Sequence, residues 1–335
     1  MKIYVFGLRE DEIEPLNQWK AANTDVDVEY TADILTEDTA NLAKGADGVV
    51  ALQTQPYSRK ALEIIHDLGI SKFSVRNVGL DGFNFKDLND FGFTLTYVPV
   101  YSPNAIAEHA SFLVGRLLRR VPEFDKKFQS GNFKWFPTIG TEISGKTVGV
   151  IGTGHIGSVF ARIMKFGYGA NVIAYDIDPN PALENLGIYV DTLDELLEKS
   201  DIISIHTPLA PKDHHMLDAN AIAKMKNGVY LINCARGGLL DNQALIDGLD
   251  SGKIAGAGLD VLENENGIFQ NEFDSIEAVD DEVFQNLAHR DNVIITPHTA
   301  FYTERAVHNM IFDSMNDNKA MISGKKAKNI VDTHK

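Results

Sequence analysis

An arginine, a carboxylate and a histidine bound the chemistry open to this chain: Arg236, Glu265 and His298. Each follows an apolar run, LINCA, AGLDV and VIITP respectively. Ligands of open α/β sheets bind outside the carboxyl ends of the strands, so residues just past such runs are placed to meet one. Hydride transfer between a nicotinamide and a 2-oxo acid asks three things of a protein. A cation must hold the substrate carboxylate and polarise the carbonyl, and the planar fork of arginine bonds carboxylate bidentately. An acid must protonate the developing alkoxide, and imidazole changes protonation near neutral pH. A carboxylate beside that acid stabilises the imidazolium. Taken singly, each residue has an ordinary reading: a solvated loop arginine, one carboxylate in an acidic stretch, a histidine satisfying a turn next to proline.

The elements that must position such a set are clearest around VGVIGTGHIG (148–157), where an apolar run meets G-x-G-x-x-G at Gly152, Gly154 and Gly157. A strand ending in a tight turn, glycines that admit a pyrophosphate to the backbone, and a helix N-terminus together make a dinucleotide site. Residues 147–151 read as a buried strand, and Ile156, Val159, Phe160, Ile163 and Met164 share one face of a following helix. A second run, NVIAY (171–175), ends at Asp176, where an acidic group meets the adenosine ribose. The charge of Asp176 repels a 2′-phosphate, and no adjacent arginine could receive one, so the expected cofactor is NAD.

At 335 residues the chain is long for one core, which predicts two domains. Lys and Arg total 31 against 47 Asp and Glu, a net charge of −16 that opposes nonspecific attraction to nucleic acid or anionic lipid. No stretch has the length of a membrane span, and the apolar run at the N-terminus is too short for a signal-peptide core. The single cysteine, Cys234, excludes an intrachain disulfide, and a cytoplasmic protein is expected.

In chain order, apolar runs at 2–6, 26–30, 48–51, 73–75 and 93–98 alternate with helical stretches at 13–22 and 59–68, an α/β pattern over the first hundred residues. Tyr101-Ser102-Pro103 is a plausible crossing point, with a connecting helix buried along Ile106, Ala110, Leu113, Val114 and Leu117. Runs at 147–151, 171–175, 202–206, 228–233, 254–259 and 292–296 predict a doubly wound parallel sheet of six strands. Residues 260–291 turn acidic and irregular and read as a solvated loop, and 303–315 reads as a helix returning to the first domain.

Five segments, RNVGLDGFNF (76–85), VPVYSPNAIAEHA (98–110), VGVIGTGHIG (148–157), INCARGG (232–238) and ITPHTAFYTERAVHNM (295–310), resemble the D-isomer-specific 2-hydroxyacid dehydrogenases, in order and over nearly the whole chain. The likeness is strongest to the bacterial D-lactate branch. The resemblance implies a Rossmann NAD-binding domain at 101–299, inserted between 1–100 and 300–335, which form a smaller flavodoxin-like substrate domain. It implies Arg236 on the substrate carboxylate and carbonyl, His298 as general acid/base and Glu265 as its paired carboxylate. The backbone of Val78 and Gly79, with Tyr101 nearby, would also receive the substrate. Around the cofactor it implies His155 and Ile156 at the glycine turn, Tyr175 and Asp176 at the ribose, His206-Thr207-Pro208, Cys234-Ala235, and Asp260 toward the nicotinamide. Family members are typically homodimers joined through the cofactor domain. Some superfamily members are NAD(H)-sensing binding proteins, an alternative that the full catalytic set argues against.

Departures from the family pattern fall mainly in the first domain. Gly82 stands in place of Asn in V-G-x-D-N, and Tyr97 in place of Asn before Val98-Pro99. Leu52 occupies a loop position that often carries tyrosine in lactate-specific relatives, which predicts a wider pocket for branched or aromatic 2-oxo acids. Phe301 matches the lactate pattern, so the expected activity is reduction of pyruvate to D-lactate with broad tolerance. A methylene or two of fit is worth only about 1–3 kcal/mol. Among the other histidines, His109 reads as packing in the connecting helix. His214-His215 has no Cys or acidic partner at ligand spacing, so no metal is expected.

Overall fold

The computed structural model describes residues 1–53 and 55–333. The chain divides into two compact units, Met1–Ser102 with Tyr302–Lys335, and Pro103–Phe301. The first unit carries a parallel sheet of β1 (Lys2–Phe6), β2 (Asp27–Tyr30), β3 (Gly48–Ala51), β4 (Lys72–Val75) and β5 (Thr94–Thr96), in the order β2-β1-β3-β4-β5. That is the flavodoxin-like winding. Strand alternation sends Ile3, Val5 and Val50 to one face, where Leu16 and Trp19 of helix Glu10–Ala22 meet Ile311 and Met315 of helix Glu304–Ile322. Tyr4, Phe6, Val49 and Ala51 go to the other face, under Leu62 and Ile65 of helix Arg59–Asp67 and Leu88 of helix Phe85–Asp90.

The C-terminal helix runs seven residues past Met315, where its apolar periodicity gives out. Asn318 is fully buried there and donates to Val49 O at 2.9 Å and Ser74 Oγ at 3.1 Å. A buried amide bonded to the sheet replaces the apolar side chain that a periodic reading looks for.

In the second unit β6 (Thr147–Ile151), β7 (Asn171–Tyr175), β8 (Ile202–Ile205), β9 (Val229–Asn233), β10 (Ile254–Leu259) and β11 (Val293–Ile295) form a parallel six-stranded sheet. Its order is β11-β10-β9-β8-β6-β7. From β6 the chain runs outward to β7 and then returns to place β8 on the other side of β6. The winding therefore reverses between β6 and β8, the place where such sheets bind ligands. Helix Pro103–Leu118 belongs to this unit and packs on β9, β10 and helix His155–Arg162. The opposite face is filled by Leu197, Ile222, Leu245 and Leu287 from the helices that follow β7 to β10.

Local corrections to the sequence reading are small and physical. The helix after the glycine turn leaves α geometry at Ile163, where Ile163–Gly167 forms a π turn. Phe160 and Met164 are buried while Ile156, Val159 and Ile163 stay half-buried. The acidic stretch 260–291 is largely exposed, as a solvated loop should be, but also contains helix Glu282–Ala288, anchored by buried Leu287. Gly82, the first-domain departure, lies under the ring of Tyr57 and accepts its backbone N–H at 2.9 Å, a local packing detail.

Candidate active site

The glycine turn sits at the winding reversal, and its geometry fits a dinucleotide. Gly152 adopts φ 87°, and a Cβ on it would stand 2.7 Å from Thr207 Cγ2 and 2.8 Å from His206 O. A Cβ on Gly157 would stand 2.0 Å from Gly152 O. Only glycine satisfies both positions. Helix His155–Arg162 begins at Gly154, which has no side chain to cap it, so the first helical N–H groups of His155 and Ile156 are left for an anionic group. Gly154 and His155 are exposed. The Thr207 hydroxyl is buried with no hydrogen-bond partner, a donor waiting for a ligand atom.

Asp176 is half-buried at the end of β7. Its Oδ2 accepts from Thr153 N at 2.6 Å and Thr153 Oγ1 at 3.0 Å, and its Oδ1 accepts from Asp178 N at 3.0 Å. Thr153 Oγ1 also meets Tyr189 Oη at 2.9 Å, which locks the carboxylate in orientation. Tyr175 closes the same turn, accepting Gly152 N–H at 2.9 Å. Pro208 is exposed, and the His206 ring packs 4.9 Å from Phe160 with Nε2 at 2.9 Å from Ser204 Oγ. Burial pulls the His206 imidazole down to about 3, so it is neutral in the fold. Cys234 is buried, and desolvation, reinforced by Asp260, pushes its thiol well up. It is a packing residue, not a nucleophile. Ala235 is fixed by its N–H to Asn233 Oδ1 at 3.0 Å.

Arg236, Glu265 and His298 arise beyond β9, β10 and β11, three adjacent parallel strands. His298 Nδ1 lies 2.6 Å from Glu265 Oε1, and Glu265 Oε2 accepts Leu262 N–H at 3.0 Å. With Nδ1 engaged, Nε2 is the ring nitrogen turned away from Glu265. His298 holds a left-handed backbone, φ 55°, a sparsely populated conformation for a residue with a side chain. Asp260 holds that turn. Its backbone O accepts His298 N–H at 2.9 Å, and its buried carboxylate accepts from Thr296 Oγ1 at 2.5 Å and from Thr299 N and Ala300 N at 2.9 Å each. His109 Nε2 joins through Thr296 Oγ1 at 3.0 Å. Desolvation, partly countered by Asp260, lowers the His109 imidazole, consistent with a packed neutral ring.

Arg236 is half-buried and donates from Nη1 to Ala235 O at 2.8 Å, while Asn233 Nδ2 donates to its carbonyl at 2.9 Å. The next residue brings the arginine turn against the glutamate turn: a Cβ on Gly237 would stand 2.0 Å from Leu262 C. Asp260 and Thr296 hold the His298 turn through hydrogen bonds that the sequence does not announce. A carboxylate turned inward onto backbone N–H groups has no periodic signature.

In the first unit, Leu52, Val78 and Gly79, and Tyr101 follow the carboxyl ends of β3, β4 and β5. Val98 N–H donates to Asn77 O at 3.1 Å, joining the segment of Val78 and Gly79 to that of Tyr101, whose carbonyl accepts from Asn309 Nδ2 at 2.7 Å. Beneath them Arg76 is fully buried, bonded to Glu12 Oε1 at 3.0 Å, Phe6 O at 3.1 Å and Gly7 O at 2.6 Å. Phe301 is half-buried at the end of the second unit.

A dinucleotide turn and a carboxylate-backed imidazole, both beyond the carboxyl ends of strands of one parallel sheet, mark the class of nicotinamide-dependent oxidoreductases. Residues 112–300 match the family model described as D-isomer specific 2-hydroxyacid dehydrogenase, NAD binding domain. The chain belongs to the D-isomer specific 2-hydroxyacid dehydrogenases and is an NAD-dependent enzyme acting on the CH–OH group of D-2-hydroxy acids. It is 49% identical over 326 residues to the D-lactate dehydrogenase of Lactobacillus delbrueckii subsp. bulgaricus, covering 97% of each chain. Among solved structures it is similar to a D-2-hydroxyisocaproate dehydrogenase, with TM-score 0.89, 37% identity and 99% of each chain covered. It is also similar to the NAD-complexed D-isomer specific 2-hydroxyacid dehydrogenase of L. delbrueckii ssp. bulgaricus, with TM-score 0.86, 37% identity, and 99% and 100% covered. Among the described residues no helix is long and apolar enough to cross a membrane.

Proposed function

We propose that this enzyme reduces pyruvate to D-lactate, with His298 as the acid. The observation that carries the reading is the 2.6 Å contact between His298 Nδ1 and Glu265 Oε1, which joins the turns beyond β11 and β10 next to β9, the strand that delivers Arg236. The bound nicotinamide cofactor supplies hydride to the carbonyl carbon. Arg236 holds the substrate carboxylate and polarises the carbonyl, and Nε2 of His298 gives its proton to the alkoxide oxygen. Glu265 keeps the ring oriented and compensates the imidazolium. Gly152, Gly154, His155, Ile156, Gly157, Tyr175, Asp176, His206, Thr207, Pro208, Cys234, Ala235 and Asp260 form the cofactor side. Leu52, Val78, Gly79, Tyr101 and Phe301 are the substrate residues, with the first unit acting as the substrate domain. The identity to D-lactate dehydrogenases supports lactate over larger hydroxy acids.

The test is steady-state turnover of NADH with pyruvate, phenylpyruvate and 2-oxoisocaproate. Replacing His298→Gln should lower kcat about 10²- to 10⁴-fold with NADH affinity retained. Near-normal turnover in that variant would remove His298 from the mechanism. A preference for 2-oxoisocaproate would place Leu52, not Phe301, in charge of the pocket.

The protein acts as a cytoplasmic homodimer in this reading. Support for self-association comes from the second unit, where Phe128, Phe133, Trp135, Phe136 and Ile139 are 66–81% exposed along one short segment. Support for a reducing compartment is the lone, buried Cys234.

A further inference from the structure

His214 and His215 have no acidic residue at ligand spacing in their own stretch of sequence, and the fold supplies Glu263, 48 residues beyond His215. Glu263 Oε1 lies 2.8 Å from His214 Nε2 and 3.0 Å from His215 Nε2, and Oε2 lies 3.0 Å from His215 Nε2. The two rings stack with centroids 3.9 Å apart, so their Nε2 atoms face the same carboxylate. We propose that His214, His215 and Glu263 form a binding site for one divalent transition-metal ion of the zinc type.

One donor atom from each residue falls within 4.8 Å of the others. An ion at the usual distances of about 2.0–2.2 Å to imidazole nitrogen and carboxylate oxygen can touch all three after shifts of a few tenths of an ångström. The donor set chooses the ion. Two imidazoles and a carboxylate suit zinc, cobalt, nickel or copper, whereas magnesium and calcium take oxygen ligands.

The surroundings are built as a metal site needs. His215 Nδ1 lies 3.5 Å from Asp241 Oδ2, so a carboxylate stands behind the ring nitrogen that is not turned to Glu263, the place of the outer-shell partner of a metal-bound histidine. Asp241 is itself fixed, because its Oδ1 caps the next helix by accepting Ala244 N–H at 3.0 Å. His215 has φ 53°, and its N–H donates to Gly238 O at 2.8 Å, so the backbone sets the direction of the ring. The His214 side chain is 51% exposed, which leaves solvent access for entry and for a water as fourth ligand. An ion held there would brace the 214–215 turn against the Leu262–Glu265 turn, two residues from the glutamate that orients His298.

The experiment is calorimetric titration of chelator-treated, untagged protein with Zn²⁺, paired with Co²⁺ titration read by visible absorption. The expected result is one saturable ion per chain, a tetrahedral Co²⁺ spectrum and a higher Tm with Zn²⁺. His214→Ala and Glu263→Gln should abolish the 1:1 isotherm while keeping the far-ultraviolet circular dichroism of the parent. Asp241→Asn, which retains a capping oxygen, should weaken binding about 10- to 100-fold. His66→Ala, at an exposed histidine elsewhere, should bind as the parent does. Absence of saturable binding in the parent overturns the proposal, as does an unchanged isotherm in both His214→Ala and Glu263→Gln.

Discussion

His206 ties stability to pH at the level of a single side chain. Its imidazole stays neutral in the fold down to about pH 3, because burial disfavours the charged ring. In the unfolded chain a histidine takes up its proton near pH 6.5. Between those values the unfolded state binds the extra proton, so the His206 contribution is complete above about pH 6.5 and is lost as pH falls toward 3. The slope approaches about 1.4 kcal/mol per pH unit in that window. Chemical denaturation at pH 7 and pH 4.5 should therefore show the parent losing about 2.5 kcal/mol more than His206→Gln, a variant that keeps a polar atom near Ser204 Oγ. Parallel losses in the two proteins would mean that the ring is already protonated in the fold at no cost. At this scale the sequence was informative about residue type and not about direction. Arg236, Glu265 and His298 stand out because they follow apolar runs. Asp260 does too, yet its carboxylate points inward to Thr296, Thr299 and Ala300 and works by holding the turn of His298. Glu263, two residues from Glu265 and no different in type, faces two histidines instead.

Elements show where an apolar pattern suffices and where it does not. β1, β3, β6 and β10 coincide with their apolar runs because central strands of a covered parallel sheet are buried on both faces, and β7 coincides with its run although it lies at the sheet edge. At 202–206, 228–233 and 292–296 the runs overshoot the strands by a residue at one or both ends, at His206, Gly228, Asn292 and Thr296, none of which is fully buried. Helix Val121–Gln129 left no signature because it buries none of its residues. The junction of helix Glu10–Ala22 with the end of β4 is similarly silent: it depends on Arg76 and Glu12, both fully buried and paired at 3.0 Å. Arg76→Met leaves buried Glu12 only the Arg9 backbone N–H at 3.0 Å and the longer Arg9 guanidinium contact at 3.5 Å, and should cost about 3 kcal/mol in chemical denaturation. The double variant Arg76→Met with Glu12→Leu should recover most of that loss, because removing both charges also removes their desolvation cost. If the single variant unfolds no more readily than the parent, the pair is not what fastens this helix to the sheet.

Association is a property of the whole molecule, and two opposed forces decide it. The segment carrying Phe128, Phe133, Trp135, Phe136 and Ile139 exposes five large apolar side chains to 66–81% within twelve residues, the kind of concentration that marks an interaction surface. Against its burial in a dimer stands a net charge of −16 on each copy, a repulsion that ions screen within about 10 Å at 0.1 M salt. Apolar contact is little affected by moderate salt while the repulsion weakens, so added sodium chloride should tighten the proposed dimer. Sedimentation equilibrium over a salt series should show the dissociation constant falling as ionic strength rises. Trp135→Glu combined with Phe133→Ser should sediment as a monomer at concentrations where the parent is dimeric. These side chains are exposed, so secondary structure should be unchanged in the variant. A dimer that loosens with salt would instead point to an interface held by ion pairs, and a dimer that survives both substitutions would lie on another face of the second unit.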